Sequence, residues 1–160
     1  RGDIAEAKEL LCHELSRIED EKNVMMCENP LVNALLAETL AKAEKKGIKF
    51  TADAIVPHDL SCDEAEFTVM LSNILENSLD AAKTFIKVSI KSLNSQISVS
   101  VKNDYSGEIK KDGSGAYLST KESGSGLGLK SVAAIVKKNG GFLETDGKDG
   151  VFTVSATLKN

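Results

Sequence analysis

Leu71-Ser72-Asn73-Ile74-Leu75-Glu76-Asn77-Ser78-Leu79-Asp80-Ala81-Ala82 repeats its apolar residues at helical spacing and sets polar ones beside them. Asn73, Asn77 and Asp80 stand at i, i+4 and i+7, so a helix lines them along one side. The periodicity extends upstream and predicts a helix from about Asp63 to Ala82. Phe67, Met70, Leu71, Ile74, Leu75 and Leu79 face its interior side. Three polar side chains next to an apolar stripe also describe a plain solvent boundary, so the rest of the chain has to decide their use.

Upstream, Asn29-Pro30 punctuates the sequence, and Pro30 suits the first turn of a helix running to about Lys46. Leu31, Ala34, Leu35, Leu36 and Leu40 are its expected core face, and Gly47 after Lys45-Lys46 its expected C-terminal cap. Ile48 to Ala54 alternates as a strand, and Pro57-His58-Asp59 reads as a turn with His58 at the surface. Downstream, Ile86, Val88 and Ile90 alternate against Lys87, Ser89 and Lys91; Ile97, Val99 and Val101 do the same against Ser98, Ser100 and Lys102. Asn94-Ser95 between the two runs predicts a hairpin with one dry face. From Asn103 to Gly126 there is no period, and a loop of that length inside a domain is usually functional or mobile. A last helix follows from Leu127 to Asn139, with Leu129, Val132, Ala133 and Val136 inward and Gly140-Gly141 ending it. A hairpin around Asp146-Gly147-Lys148-Asp149-Gly150 then closes the chain. This order predicts an α+β fold, a two-layer α/β sandwich with a mixed sheet and its helices on one face.

The 160 residues fit one domain, with 41% hydrophobic residues for a core and 28% charged residues for a surface. Five Phe, two Tyr and no Trp leave little for stacking on single-stranded nucleic acid, and a net charge of -4 points the same way. No nucleic-acid partner is expected. Cys12, Cys27 and Cys62 have no metal-site spacing and read as free thiols of a reducing compartment. No apolar run approaches the ~18 residues that span a bilayer, so no membrane contact is expected from this sequence itself. A chain beginning at Arg1 reads as a piece of a longer protein. Residues Asp3 to Asp20 fit either an amphipathic helix packed on the domain or the end of a dimerising linker helix.

Gly124-Ser125-Gly126-Leu127-Gly128-Leu129 gives the first helix an obvious counterpart. Glycines let backbone N–H groups converge on phosphate oxygens, and a helix beginning at once adds unpaired N–H groups and the positive end of its dipole. Lys121 stands just before, a flexible point charge for a terminal phosphate. An amide oxygen from Asn73 or Asn77 is a neutral hard ligand that suits Mg2+ beside phosphate oxygens. A flexible glycine linker remains the plain alternative for the cluster. Neither G-x-x-x-x-G-K-[ST] nor a strand leading straight into G-x-G-x-x-G is present, which excludes the two common nucleotide fingerprints.

In combination these motifs resemble the catalytic, ATP-binding domain of sensor histidine kinases, within the superfamily that includes gyrase and MutL. Leu71 to Ala82 resembles the family's N box, and Val99-Ser100-Val101-Lys102-Asn103 the strand entering its first glycine box. Leu118-Ser119-Thr120-Lys121 resembles the lid segment, and Gly124 to Leu129 the second glycine box. With Glu28-Asn29-Pro30-Leu31-Val32-Asn33, the set is most similar to the quorum-sensing peptide-receptor kinases of Gram-positive bacteria. The ordered combination is specific, whereas either glycine cluster alone is weak.

The resemblance implies a Bergerat-type fold over residues 28–160, preceded at 1–27 by the end of a dimerisation or linker helix. It implies ATP and Mg2+ as ligands, with Asn77 on the metal and Asn73 orienting the reacting group. Asn103 aligns with the adenine-reading Asp, and Asp80, Gly107, Ser119, Thr120, Lys121, Gly124, Gly126, Leu127, Gly128 and Leu129 complete the nucleotide site. The implied partners are the protein's own phosphoacceptor domain in a homodimeric parent and a response regulator. The implied location is the cytoplasmic part of a membrane-bound sensor kinase. Two departures stand out: Asn73 replaces a carboxylate found in some branches, and Asn103 replaces the Asp, with Tyr105 where a glycine is usual. An amide cannot serve as a general base. An acceptor imidazole is itself nucleophilic, so a histidine kinase tolerates Asn73. A water-driven ATPase or an anti-sigma serine kinase of the same fold, or a non-catalytic interaction module, are the alternatives. His13, next to Cys12, does not fit the acceptor, which the family carries on an earlier helix.

Overall fold

The computed structural model describes residues 5–8, 27–107 and 127–160. Cys12, His13 and the rest of the expected N-terminal helix lie outside these, apart from a helical turn at 5–8, and so does most of the stretch between Asn103 and Gly126.

Helix α1 (Pro30–Lys45) begins where Asn29 accepts from Val32 N with its side-chain oxygen at 3.0 Å, and Pro30 takes the first turn without losing a needed donor. Asn29 is fully buried, and its amide donates to His58 O at 3.0 Å, tying the helix start to the turn at residues 57–59. His58 itself is exposed. That entry sets the phase of the helix. Its buried positions are Val32, Leu36, Thr39 and Ala43, a stripe rotated from the leucine-rich face the sequence suggests. Leu31 is 46% exposed and Ala34 is exposed, so leucine content was a poorer guide than the cap. At the far end Gly47 adopts φ +70°, with Gly47 N donating to Glu44 O and Ile48 N to Ala43 O. This paired closure favours glycine because a side chain is strained in the left-handed region.

Strand β1 (Lys49–Ile55) leads into helix α2 (Glu64–Ala81), then β2 (Phe85–Leu93), β3 (Gln96–Asp104), helix α3 (Leu127–Lys138), β4 (Phe142–Lys148) and β5 (Val151–Lys159). The described strands form one sheet in the order β1-β2-β3-β5-β4. β1 runs parallel to β2 across the α2 crossover, and the other neighbours are antiparallel. The sheet is therefore mixed, as expected. β2 and β3 join through Asn94-Ser95, and β4 and β5 through Asp149-Gly150, each with two residues at positive φ. The second turn is narrower than the sequence suggests, because Asp146, Gly147 and Lys148 continue β4 in register with β5. Gly141, just before β4, has no room for a side chain: a Cβ there would lie 2.1 Å from Thr157 O.

One face of the sheet is dry. Ile86, Val88 and Ile90 of β2, Ile97, Val99 and Val101 of β3, and Phe152, Val154, Ala156 and Leu158 of β5 form a continuous core with the inner faces of α1, α2 and α3. α3 contributes Val132 and Val136, with Leu129 and Ile135 partly buried; Ala133, expected inward, is exposed. Cys27 and Cys62 are free, and burial pushes both thiols up, which makes them poor nucleophiles. Among the described residues no helix is long and apolar enough to cross a membrane.

Candidate functional site

Helix α2 is capped by Asp63, whose carboxylate accepts from Glu66 N at 3.0 Å. Its buried stripe is Phe67, Met70, Leu71, Ile74, Leu75, Ser78 and Leu79. Asn73 and Asn77 are half-buried at the margin of this stripe, and Asp80, one turn further, is exposed. Glu66 identifies what lies beside that margin. Its carboxylate bonds to Lys138 Nζ and accepts from Asn139 Nδ2 at 2.8 Å, joining the start of α2 to the end of α3. The hydrogen bonds from Lys138 and Asn139 hold the Glu66 carboxyl below its ordinary range, and Glu66 in turn raises Lys138. An exposed pair of this kind contributes orientation more than stability.

Because α2 and α3 pack together, this link makes them run in opposite directions. Leu127 lies as far back from Lys138 along α3 as Asn77 lies forward from Glu66 along α2, and equal helical rise brings the two to about the same level. The first turn of α3, with Gly128 and Leu129 half-buried, therefore begins alongside Asn77. The helix start is thereby directed toward the half of α2 that carries Asn73 and Asn77.

Strand β3 carries a third amide. Asn103 continues the inward series Ile97, Val99, Val101, and it is fully buried. Its Nδ2 donates to Asp104 O at 2.9 Å. Its Oδ1 is buried with no hydrogen-bond partner among the described residues. A buried acceptor in that state costs roughly 1–3 kcal/mol, which a donor from a bound molecule would recover. An exocyclic amino group is such a donor, so the chemistry at Asn103 fits an adenine.

Asp104 points to the other side of the strand and does different work. Its carboxylate accepts from Lys83 N and Thr84 N, both at 2.9 Å, from Thr84 Oγ1 at 2.5 Å and from Phe85 N at 3.3 Å. Partial desolvation opposes its charge, but these bonds outweigh it and bring its pKa down to about 2. Its role as a clamp is not visible in the sequence. Its one local signal is an acidic side chain on the outer face of a strand end, and the partners lie about twenty residues away.

Gly107 adopts φ +88° and is exposed, just beyond β3. Ser119, Thr120, Lys121, Gly124 and Gly126 lie outside the described residues, as does the side chain of Leu127. A cleft of about 360 Å³ opens between α1 and α2, lined by Lys42, Lys45, Lys46, Glu76, Leu79 and, of the expected site residues, Asp80. Two of its lysines are already engaged, Lys42 with Glu38 and Lys46 with Leu79 O. Asn73, Asn77 and Asn103 do not line it. No group of three or more His, Cys, Asp or Glu among the described residues could hold a metal ion. A Mg2+ carried on a polyphosphate needs only one or two protein oxygens, and Asn77 supplies one of the right kind.

The family model of the GHKL domain matches residues 63–159, from the cap of α2 to the end of β5. Sporulation kinase C of Bacillus subtilis (strain 168) is 27% identical over 157 residues, covering 92% of this chain and 34% of that protein. The chain thus spans about a third of the length of this curated relative. The catalytic domain of histidine kinase ThkA superposes with a TM-score of 0.64 at 22% identity, over 81% of this chain and 90% of that one. Acinetobacter baumannii histidine kinase AdeS gives 0.63 at 15% identity, over 81% and 62% of the two chains. These structural likenesses establish the shared fold.

Proposed function

The chain belongs to the GHKL domain family, and from that premise we propose that it is the ATP-binding catalytic domain of a two-component sensor histidine kinase. In this reading residues 28–160 form the catalytic domain and residues 1–27 end a linker helix. The domain transfers the γ-phosphoryl of Mg-ATP to a histidine on a dimerisation domain of the parent protein. The observation that supports it most is the buried Oδ1 of Asn103, without a hydrogen-bond partner among the described residues, on a strand end tied through Asp104 to the turn that follows the Asn77 helix.

Asn103 reads the adenine amino group, and Asn77 ligates the metal through its amide oxygen. Asn73, one turn earlier, orients the reacting group without taking a proton. Gly124, Gly126 and Gly128 give backbone N–H groups to the phosphates, and Lys121 meets the charge that develops as the γ-phosphoryl moves. Ser119, Thr120 and Gly107 flank the nucleotide. Mg2+ supplies charge neutralisation across the phosphates when bound. An imidazole attacks with its own ring-nitrogen lone pair, so the lack of a carboxylate at Asn73 leaves this transfer possible while making hydrolysis by water slow. A response-regulator aspartate then receives the phosphoryl group. The parent is a homodimer, and by resemblance a membrane-bound quorum-sensing receptor with this domain in the cytoplasm.

The test is to incubate the parent protein with γ-labelled Mg-ATP and characterise the bound phosphate. Acid-labile, alkali-stable label, lost in Asn77→Ala, is expected for a phosphohistidine. Acid-stable label would point to the serine-kinase alternative, and no label in the wild type would contradict the proposal.

A further inference from the structure

Asp104 connects two parts of the site that are distant in sequence. Its carboxylate gathers the backbone N–H groups of Lys83, Thr84 and Phe85, the three residues that follow the C-cap of α2 at Ala82. Thr84 Oγ1 donates to the same carboxylate at 2.5 Å, and Thr84 O accepts from Lys49 N at 2.9 Å, so the turn is also tied to the start of β1. The main-chain carbonyl of Asp104 accepts from Asn103 Nδ2 at 2.9 Å. One residue therefore anchors the end of the helix that carries Asn73 and Asn77 and also fixes which way the Asn103 amide faces.

The orientation matters because the two ends of that amide have opposite hydrogen-bonding character. With Nδ2 held by Asp104 O, Oδ1 is the atom left for a ligand. Turning the amide over would set Oδ1 against the Asp104 carbonyl, two acceptors facing each other. Resting on the nucleotide-binding reading above, we propose that Asp104 is a positioning residue that sets base discrimination: it holds the end of β3 against the turn after α2 so that Asn103 presents an acceptor and not a donor. Asp104 does not touch the nucleotide. Its removal leaves three backbone N–H groups and the Thr84 hydroxyl without their partner and unties the turn after α2 from the end of β3, where only the backbone pairing to β2 and β5 then positions the Asp104 carbonyl that holds the Asn103 amide.

The readout is the ratio of ATP to GTP affinity, measured by competition in the whole chain alongside urea unfolding. A purely structural Asp104 would change unfolding and leave the ratio alone. Asp104→Ala is expected to narrow an ATP preference of about tenfold or more to about threefold or less. Asp104→Asn keeps an oxygen for the Lys83 and Thr84 N–H groups and should retain most of the preference. Thr84→Val removes only the hydroxyl donor from an exposed position, so it keeps the test open if Asp104→Ala fails to fold; it should narrow the ratio partway. A wild-type ratio in both Asp104→Ala and Thr84→Val, or in Thr84→Val alone if the other does not fold, overturns the inference. Wild-type protein that binds neither nucleotide removes the proposed function and this inference together.

Discussion

In the proposed function, Asn103 stands where a carboxylate would meet an adenine amino group with a full charge, and its neutral oxygen would make a weaker but still directional bond. From sequence alone, rotation of the amide would let the residue adapt to guanine and soften the discrimination. The bond from Nδ2 to Asp104 O opposes that rotation. A guanine oxygen would then face Asn103 Oδ1, leaving a desolvated acceptor pair that costs on the order of 1–3 kcal/mol. ATP should therefore outcompete GTP by about tenfold or more, and Asn103→Ala should weaken ATP binding more than GTP binding. Equal affinities in the wild type would show that Asn103 does not read the base. Asp104 makes a separate prediction about acid. Its folded-state pKa is depressed from 3.8 to about 2, so its contribution to stability is fully present above about pH 4 and is lost as pH falls through about 2. Urea unfolding should show Asp104→Asn less stable than wild type at pH 5, with the gap closing toward pH 2. A gap independent of pH would mean that the charge is immaterial. The position of Asn103 was legible in the alternation of β3, since Ile97, Val99 and Val101 count forward to it. The clamp at Asp104 was not legible, because nothing local says that Lys83, Thr84 and Phe85 end up beside it.

At the scale of elements, the strands were more legible in the sequence than the helix faces. Period-two alternation fixes the inward side of β2 and β3 without further information. The phase of α1 depends on how Asn29 anchors its first turn, a tertiary matter, since the Asn29 amide reaches across to His58 O. The closing hairpin is tighter than its sequence suggests: Asp146 and Gly147 look like turn residues, yet pairing with Thr153 and Phe152 keeps them in β4. The turn between β2 and β3 retains a correctable strain. Asn94 at φ 53° is one of the residues that tolerates the left-handed region, but Ser95 at φ 60° does so less readily. Left-handed backbone costs an ordinary residue about 1–2 kcal/mol, and glycine gives back about 0.4–1 kcal/mol through the unfolded chain. Ser95→Gly should therefore stabilise the domain by about 0.5–1 kcal/mol in urea unfolding. A loss of stability would mean that the Ser95 side chain makes a contribution the turn geometry does not reveal.

For the molecule as a whole, the mixed sheet with helices on one face followed from the order of elements, and the strand order needed the structure. So did the long-range ties. The Asn160 side chain accepts from Ser61 N and Cys62 N and donates to Ser92 Oγ, joining the end of β5 to the approach to α2 and to the β2–β3 hairpin. The Glu66–Lys138 pair, also invisible in sequence, orients α3 so that its first turn starts beside Asn77. In the proposed function, a polyphosphate and its metal would be held between α2 and the start of α3. Calorimetric titration of ATP, with Mg2+ and with the metal chelated, into wild-type protein and Asn77→Ala tests it most directly. The account predicts saturable binding to the wild type that Mg2+ strengthens, and a Mg2+ dependence that largely disappears in Asn77→Ala while the fold, followed by circular dichroism, is unchanged. No saturable binding to the wild type, or the same gain from Mg2+ in both proteins, would contradict it.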